Sequence, residues 1–249
     1  MMRQEQTSRL NFNRRAATYA ENAAVQLRAA KWLGAWIERG LPDSVRIWEL
    51  GAGTGFFTRE LVARGCRVLA TDLAPEMVAH GRRACPQAEW AICDGWNLPE
   101  NACDRLYSSS LLQWMPCPEK TLRAFHAALR PGGKMLHGFF VAPSLRELYS
   151  LVPAESLPLK WRTADAWLEA FRAAGFEVLR AGTSSEVVEY ADAAQLLKTL
   201  RDSGTTDDSR RVPAGALRRV LREYADRFSR ENGRVVATWR VLRVEALRI

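Results

Sequence analysis

The chain has 249 residues, 47% hydrophobic and 26% charged, with a formal net charge of +8. That length supports one large α/β domain or one with an insertion, and no run of about 18 apolar residues is present, so a membrane span is not expected. Five cysteines without a C-x-x-C pair and three scattered histidines read as reduced thiols and structural rings of a cytoplasmic protein, rather than a zinc site or a disulfide frame.

Polar Met1–Leu10 lacks the apolar stretch of a secretory signal, so no leader is expected. Ala20–Glu38 has apolar residues at helical spacing and stops at Gly40-Leu41-Pro42. Strands and helices then alternate. Val45–Leu50 is a strand and Phe57–Ala63 a helix; Arg67–Thr71 is a strand and Pro75–Ala84 a helix with proline in its first turn. Ala88–Cys93 and Arg105–Ser109 are strands, Glu119–Leu129 is a helix stopped by Arg130-Pro131-Gly132-Gly133, and Lys134–Phe140 is a strand. This alternation implies a doubly wound, mostly parallel sheet with helices on both faces and ligands at the carboxyl ends of its strands. After Phe140 the rhythm loosens: helix Thr163–Ala174, strand Phe176–Val188, helix Ala191–Arg201, a polar loop Ser203–Ser209, an Arg-rich helix Pro213–Phe228 and a last strand Arg234–Leu247. The expected organisation is a single domain with lid helices over 1–40, a core over 45–188, a helical insertion over 189–233 and a final strand over 234–249.

The chemistry concentrates where the first strand runs into Glu49-Leu50-Gly51-Ala52-Gly53-Thr54-Gly55. A strand–glycine loop–helix brings backbone close to a nucleotide-like ligand, because glycine removes the Cβ and permits positive φ. A dinucleotide fingerprint would place glycine at position 56, which is Phe56. Asp72 closes the second strand, where a carboxylate accepts hydrogen bonds from ribose hydroxyls. Asp94 follows the third strand, next to Gly95 and Trp96; the indole either covers a ligand ring or packs on a helix.

The spacing Glu49-x-Gly51-x-Gly53-x-Gly55 resembles motif I of class I S-adenosylmethionine (SAM) methyltransferases. The resemblance implies a Rossmann-like seven-stranded sheet and SAM as methyl donor, leaving as S-adenosylhomocysteine (SAH). It places Glu49, Gly51, Gly53, Gly55, Asp72, Leu73, Met77, Asp94, Gly95, Trp96 and Ser110 around the donor. Three further stretches are similar to malonyl-[acyl-carrier protein] O-methyltransferases of biotin synthesis: Phe12-Asn13-Arg14-Arg15-Ala16-Ala17-Thr18-Tyr19 followed by Ala23 and Gln26, Ser109-Ser110-Leu111-Leu112-Gln113-Trp114, and Leu196–Thr206, in which Ser203 departs from the bulkier apolar residue usual before the glycine.

That likeness implies methyl transfer to the free carboxylate of a malonyl thioester, on carrier protein or coenzyme A. A carboxylate near pKa 4 is already ionised at neutral pH, so the reaction needs positioning and a dry site rather than a base. Tyr19, Gln113, Lys198 and Arg201 are the expected acceptor-side residues. The carrier is an acidic partner, and the charge excess lies at the chain ends: +4 over residues 1–46, −1 in the middle and +5 over 200–249, with Arg218, Arg219 and Arg222 on one helix. Other readings are a methyltransferase of another small carboxylic acid or a quinone precursor, an RNA-binding or RNA-modifying protein, and an inactive binding module. No basic run with interleaved aromatics favours nucleic acid, and the intact acids and glycines speak against an inactive module.

Overall fold

The computed structural model describes residues 2–115, 117–152, 161–204 and 214–249, with side chains from Phe12 onward within them, Ala214 excepted. The polar loop from Thr205 on, Thr205 and Thr206 of the third similar stretch, and Pro213 lie outside the described residues.

Two helices open the chain, α1 (Met2–Asn22) and α2 (Ala24–Gly34). Then come β1 (Ile47–Leu50), α3 (Phe56–Val62), β2 (Val68–Asp72), α4 (Pro75–Ala84), β3 (Glu89–Ile92), β4 (Cys103–Ser109), α5 (Pro118–Ala128) and β5 (Leu129–Phe140). The chain ends with α6 (Arg146–Tyr149), α7 (Ala164–Ala173), β6 (Phe176–Tyr190), α8 (Ala193–Asp202), α9 (Ala214–Phe228) and β7 (Val235–Arg248). The seven strands form one sheet in the order β3-β2-β1-β4-β5-β7-β6. β1 to β5 run parallel, and β7 is antiparallel to both β5 and β6. The order reverses between β1 and β4, the switch point at which such sheets open a crevice at their carboxyl ends. No helix among the described residues is long and apolar enough to cross a membrane.

Most elements lie within a few residues of the sequence expectation; the N-terminus does not. The single helix expected over Ala20–Glu38 is two helices that part at Ala23, which is fully buried at φ −104° and ψ 40°. The break separates two packing partners: α1 lies against α4 and α8, whereas α2 lies on α3 and the β4–β5 part of the sheet. Neither glycine nor proline marks it. Leu33 of α2 is fully buried, worth about 1.5–3 kcal/mol, and Gly138 of β5 makes room for it, since a Cβ there would stand 3.1 Å from Leu33 Cδ2.

Beneath the crevice the core holds one polar pair. Ser108 on β4 is in register with His137 on β5, and Ser108 Oγ lies 2.7 Å from His137 Nδ1. The imidazole is fully buried, stacked near Phe125 and Phe171 with ring centres 5.8 and 6.4 Å away. Burial disfavours the imidazolium and pushes its pKa down to about 3. In the unfolded chain the same ring titrates near 6.5, so the unfolded state takes up the proton first. The stability tied to neutral His137 is complete above about pH 6.5 and is lost as pH falls toward 3, by about 1.4 kcal/mol per pH unit. Urea unfolding of wild type and His137→Gln between pH 7 and 5 checks this: the difference between the two proteins should shrink as pH falls, and a constant difference would refute it.

Candidate active site

One cavity spans the carboxyl ends of the strands, enclosing about 1470 Å³ with its open mouth included. Read across the sheet, its lining changes character. Cys93 and Asp94 after β3, Asp72 at the end of β2, and Glu49 and Gly51 at the end of β1 make an acidic side. Ser109 and Ser110 stand at β4, and Phe140 and Trp239 come from β5 and β7.

The loop after β1 is shaped by its glycines. Gly51 and Gly53 have φ of +60° and +56°, and a Cβ on Gly51 would fall 2.6 Å from Leu111 Cδ1. Asp72 clamps the loop to β2: the Gly53 N–H donates to Oδ2 at 2.9 Å and the Ala74 N–H to Oδ1 at 2.8 Å. Burial pushes the Asp72 carboxyl up, and those N–H groups pull it back down. Asp94 is exposed and accepts the Trp96 N–H at 2.9 Å. Glu49 is 1% exposed; Thr58 Oγ1 donates to it at 2.7 Å, yet burial dominates and pushes its pKa up to about 8. At neutral pH Glu49 is therefore mostly a neutral acid.

Leu73, Met77, Gly95, Trp96 and Ser110 all line the cavity. Trp96 lines the cavity and stacks on Phe125 of α5, with ring centres 6.2 Å apart. Gly55 is not among the lining residues; it turns the chain into α3 at φ +86° and abuts Trp90, whose Cη2 would be 3.3 Å from an added Cβ.

On the acceptor side, Tyr19 from α1 lines the cavity with its ring 6.0 Å from Phe56 and 6.3 Å from Phe12. Burial, then the negative charge of Asp72, pushes its phenol up, so it remains a donor. Gln113 also lines the cavity and is fixed by its Nε2–H donating to Ser110 O at 2.7 Å. Lys198 and Arg201 lie apart from these. Neither is among the lining residues. They are 64% and 54% exposed and turn to Asp202 of their own helix, at 2.8 and 3.4 Å. Asp202 also takes Arg15 of α1 at 2.8 Å, so this cluster ties α1 to α8.

The sequence reading missed Phe12, Gln26, Thr54, Phe56, Phe140, Trp161, Ser203 and Trp239 as lining residues. Phe12 and Ser203 sat within the similar stretches, a usable signal. Phe140, Trp161 and Trp239 come from three distant segments that only the sheet order brings together.

A ligand is written into the polar atoms. Thr54 Oγ1, Ser110 Oγ, Gln113 Oε1 and Trp161 Nε1 are buried without a hydrogen-bond partner, and all four residues line this cavity. Buried polar atoms are normally paired, so a polar ligand is expected to satisfy them. The glycine cradle, the ribose-competent Asp72 and the hydrophobic floor of Met77 and Leu73 fit SAM. Among the described residues no group of three or more His, Cys, Asp or Glu side chains could hold a metal ion.

These features define a class I SAM-dependent methyltransferase. Residues 48–137 match the family model described as a methyltransferase domain. The YcgJ protein of Bacillus subtilis has the same fold, with a TM-score of 0.64 at 14% identity over 89% of this chain and 98% of that one. The malonyl-[acyl-carrier protein] O-methyltransferase of Serratia marcescens is 32% identical over 209 residues, 78% of this chain and 76% of that protein. The chain belongs to the malonyl-[acyl-carrier protein] O-methyltransferase family. It is also 29% identical to the trans-aconitate 2-methyltransferase of Variovorax paradoxus, over 75% of this chain and 78% of that one. The biotin biosynthesis bifunctional protein BioHC of Cellvibrio japonicus is 31% identical over 170 residues, 66% of this chain but only 32% of that longer protein.

Glu49 gives a test of the donor site. A cation in the cavity favours the ionised form of a neighbouring carboxyl, so binding SAM at pH 7 should expel a proton held by Glu49. Calorimetric titrations in buffers of different ionisation enthalpy should show release approaching one proton, and Glu49→Gln should abolish it. Buffer-independent heats for wild type would refute the assignment.

Proposed function

We propose that the enzyme methylates the free carboxylate of a malonyl thioester presented by an acyl-carrier protein or coenzyme A, in the cytoplasm, as part of the supply of acyl precursor for biotin synthesis. The observation that carries this reading is the division of charge. The described lining of the cavity holds no cation, while Lys198, Arg201, Arg218, Arg219 and Arg222 are exposed on α8 and α9, which pack together. A thioester arm threads such a cavity while an acidic carrier stays on the basic surface outside. The likeness to the malonyl-[acyl-carrier protein] O-methyltransferase of Serratia marcescens points the same way.

When bound, SAM supplies a methyl group on a sulfonium; the ester C–O bond forms as the C–S bond breaks and its electron pair stays on sulfur. The chain's part is to hold and to exclude water. Tyr19 and Gln113 orient the acceptor, and Phe12, Trp114 and Phe56 close the site, with Phe12 set edge-on to Trp114 at 5.6 Å. No proton need be removed, which is why no base is required. The likeness to a trans-aconitate methyltransferase favours a second reading, in which another small polycarboxylic acid is the acceptor.

Mass measurement after mixing protein, SAM and malonyl-carrier protein should show a gain of one methyl group on the malonyl arm. If malonyl-carrier protein and malonyl-CoA are both inert while trans-aconitate gains a methyl group, the second reading replaces the first. For docking, Arg218→Glu combined with Arg222→Glu should raise KM for the carrier-bound substrate about tenfold and leave malonyl-CoA nearly unchanged, since exposed charges act mainly on encounter. Equal effects on both substrates would sink the docking surface.

A further inference from the structure

We infer that Trp161 is the neutral hydrogen-bond donor that receives the acceptor's carboxylate, and that the cavity accepts this acid only once the positively charged methyl donor is in place. The inference rests on the carboxyl-methylation reading above and adds how the acid is held.

Trp161 lines the cavity, against Tyr149 with ring centres 6.0 Å apart. Its Nε1–H is buried and has no partner among the described residues. The other buried tryptophans at or beneath this cavity are different. Trp239 Nε1–H donates to Tyr190 Oη at 3.3 Å, and Trp90 Nε1–H to Cys85 O at 3.0 Å. A buried indole N–H normally finds an acceptor. Trp161 packs against the cluster that holds Phe140 and Trp239, on the β5–β7 side of the sheet rather than at the β1–β3 ends that carry the acids, the side where an acceptor rather than the nucleoside is expected.

Charge supplies the second half. Glu49, Asp72 and Asp94 line the cavity, and no Lys, Arg or His does so among the described residues; with Glu49 a neutral acid at pH 7, the negative charge of the lining is that of the two aspartates. Nearby cations are committed elsewhere: Lys198 and Arg201 to Asp202, and Arg59 to Thr54 O at 3.2 Å, over the outer face of Phe56. A second carboxylate entering this lining alone meets like charge in a poorly hydrated space. Trp161 offers it a donor without a counter-charge, so the remaining compensation must come from the donor's own positive charge. Binding is then ordered, with the acid second. Loss of both charges on methyl transfer weakens the hold on the product.

The test measures binding of malonyl-CoA to the full-length protein in two loaded states: with SAH, an uncharged sulfide, and with sinefungin, which carries an ammonium in place of the sulfonium methyl. Affinity should be at least tenfold higher in the sinefungin state. Trp161→Phe should lose at least tenfold of that affinity while binding SAH within twofold of wild type, which also reports that the variant folds. Equal malonyl-CoA affinity in the two states overturns the inference, as does a Trp161→Phe protein with unchanged affinity. Formation of the malonyl methyl ester by wild type is a separate readout. Ester formation with equal affinities removes this inference alone, whereas neither ester nor binding removes the carboxyl-methylation reading as well.

Discussion

The carboxylate of Asp72 is the constraint on which the rest of the site depends. By accepting the Gly53 and Ala74 N–H groups, it joins the loop after β1 to the turn after β2 and sets how far the backbone stands from a ligand. The loop reaches that carboxylate only because Gly51 and Gly53 take positive φ, which a side chain resists. Glu49, on the neighbouring strand β1, is the opposite case. It is sealed beneath the loop with a hydroxyl donor as partner, and burial keeps it protonated. Two acids that border one glycine loop thus differ because one meets backbone N–H groups and the other meets the core.

The sheet order distributes chemistry across the crevice. β1, β2 and β3 bring loops and acids, and the parallel β4–β5 pair brings Ser110 and Phe140. The reversed strand β7 then carries Trp239 in from the far end of the chain. Helix α1 closes the top, and its hold is modular. Asn13 Oδ1 accepts the Glu76 N–H at the start of α4 at 3.0 Å, Arg15 pairs with Asp202, and Phe12 packs over Gly204, where a Cβ would come within 2.6 Å of the ring. Helix α1 is therefore held to α4 on one side and to α8 on the other.

Sequence legibility followed the range of the signal. The glycine loop, Asp72 and Asp94 are local, each tied to a strand end, and strand ends are visible from alternation and turn residues. The break at Ala23 is invisible because it answers to two distant packing partners rather than to a helix breaker. The outward turn of Lys198 and Arg201 is hidden for a related reason. Helical spacing puts Lys198 and Asp202 four residues apart, an ordinary i,i+4 pair, and that pairing outcompetes a turn into the cavity. Trp161 carries no motif at all; its proposed role rests on the cavity and the unpaired indole N–H taken together.

The relocation of Lys198 and Arg201 bears on reactivity as well as on placement. A cation inside the cavity would bind a carboxylate tightly, but equally in the ground state, and would draw charge away from the attacking oxygen. Only interactions that strengthen toward the transition state raise the rate. In the proposed reaction, neutral donors such as Tyr19 and Trp161 orient the same group with less cost to its nucleophilicity. Moving the cations to the outer faces of α8 and α9 preserves their usefulness, because attraction for an acidic carrier acts at a distance and on encounter. In the proposed reaction, recognition is thus carried by charge outside the crevice and alignment by neutral groups within it, and the two can be altered independently.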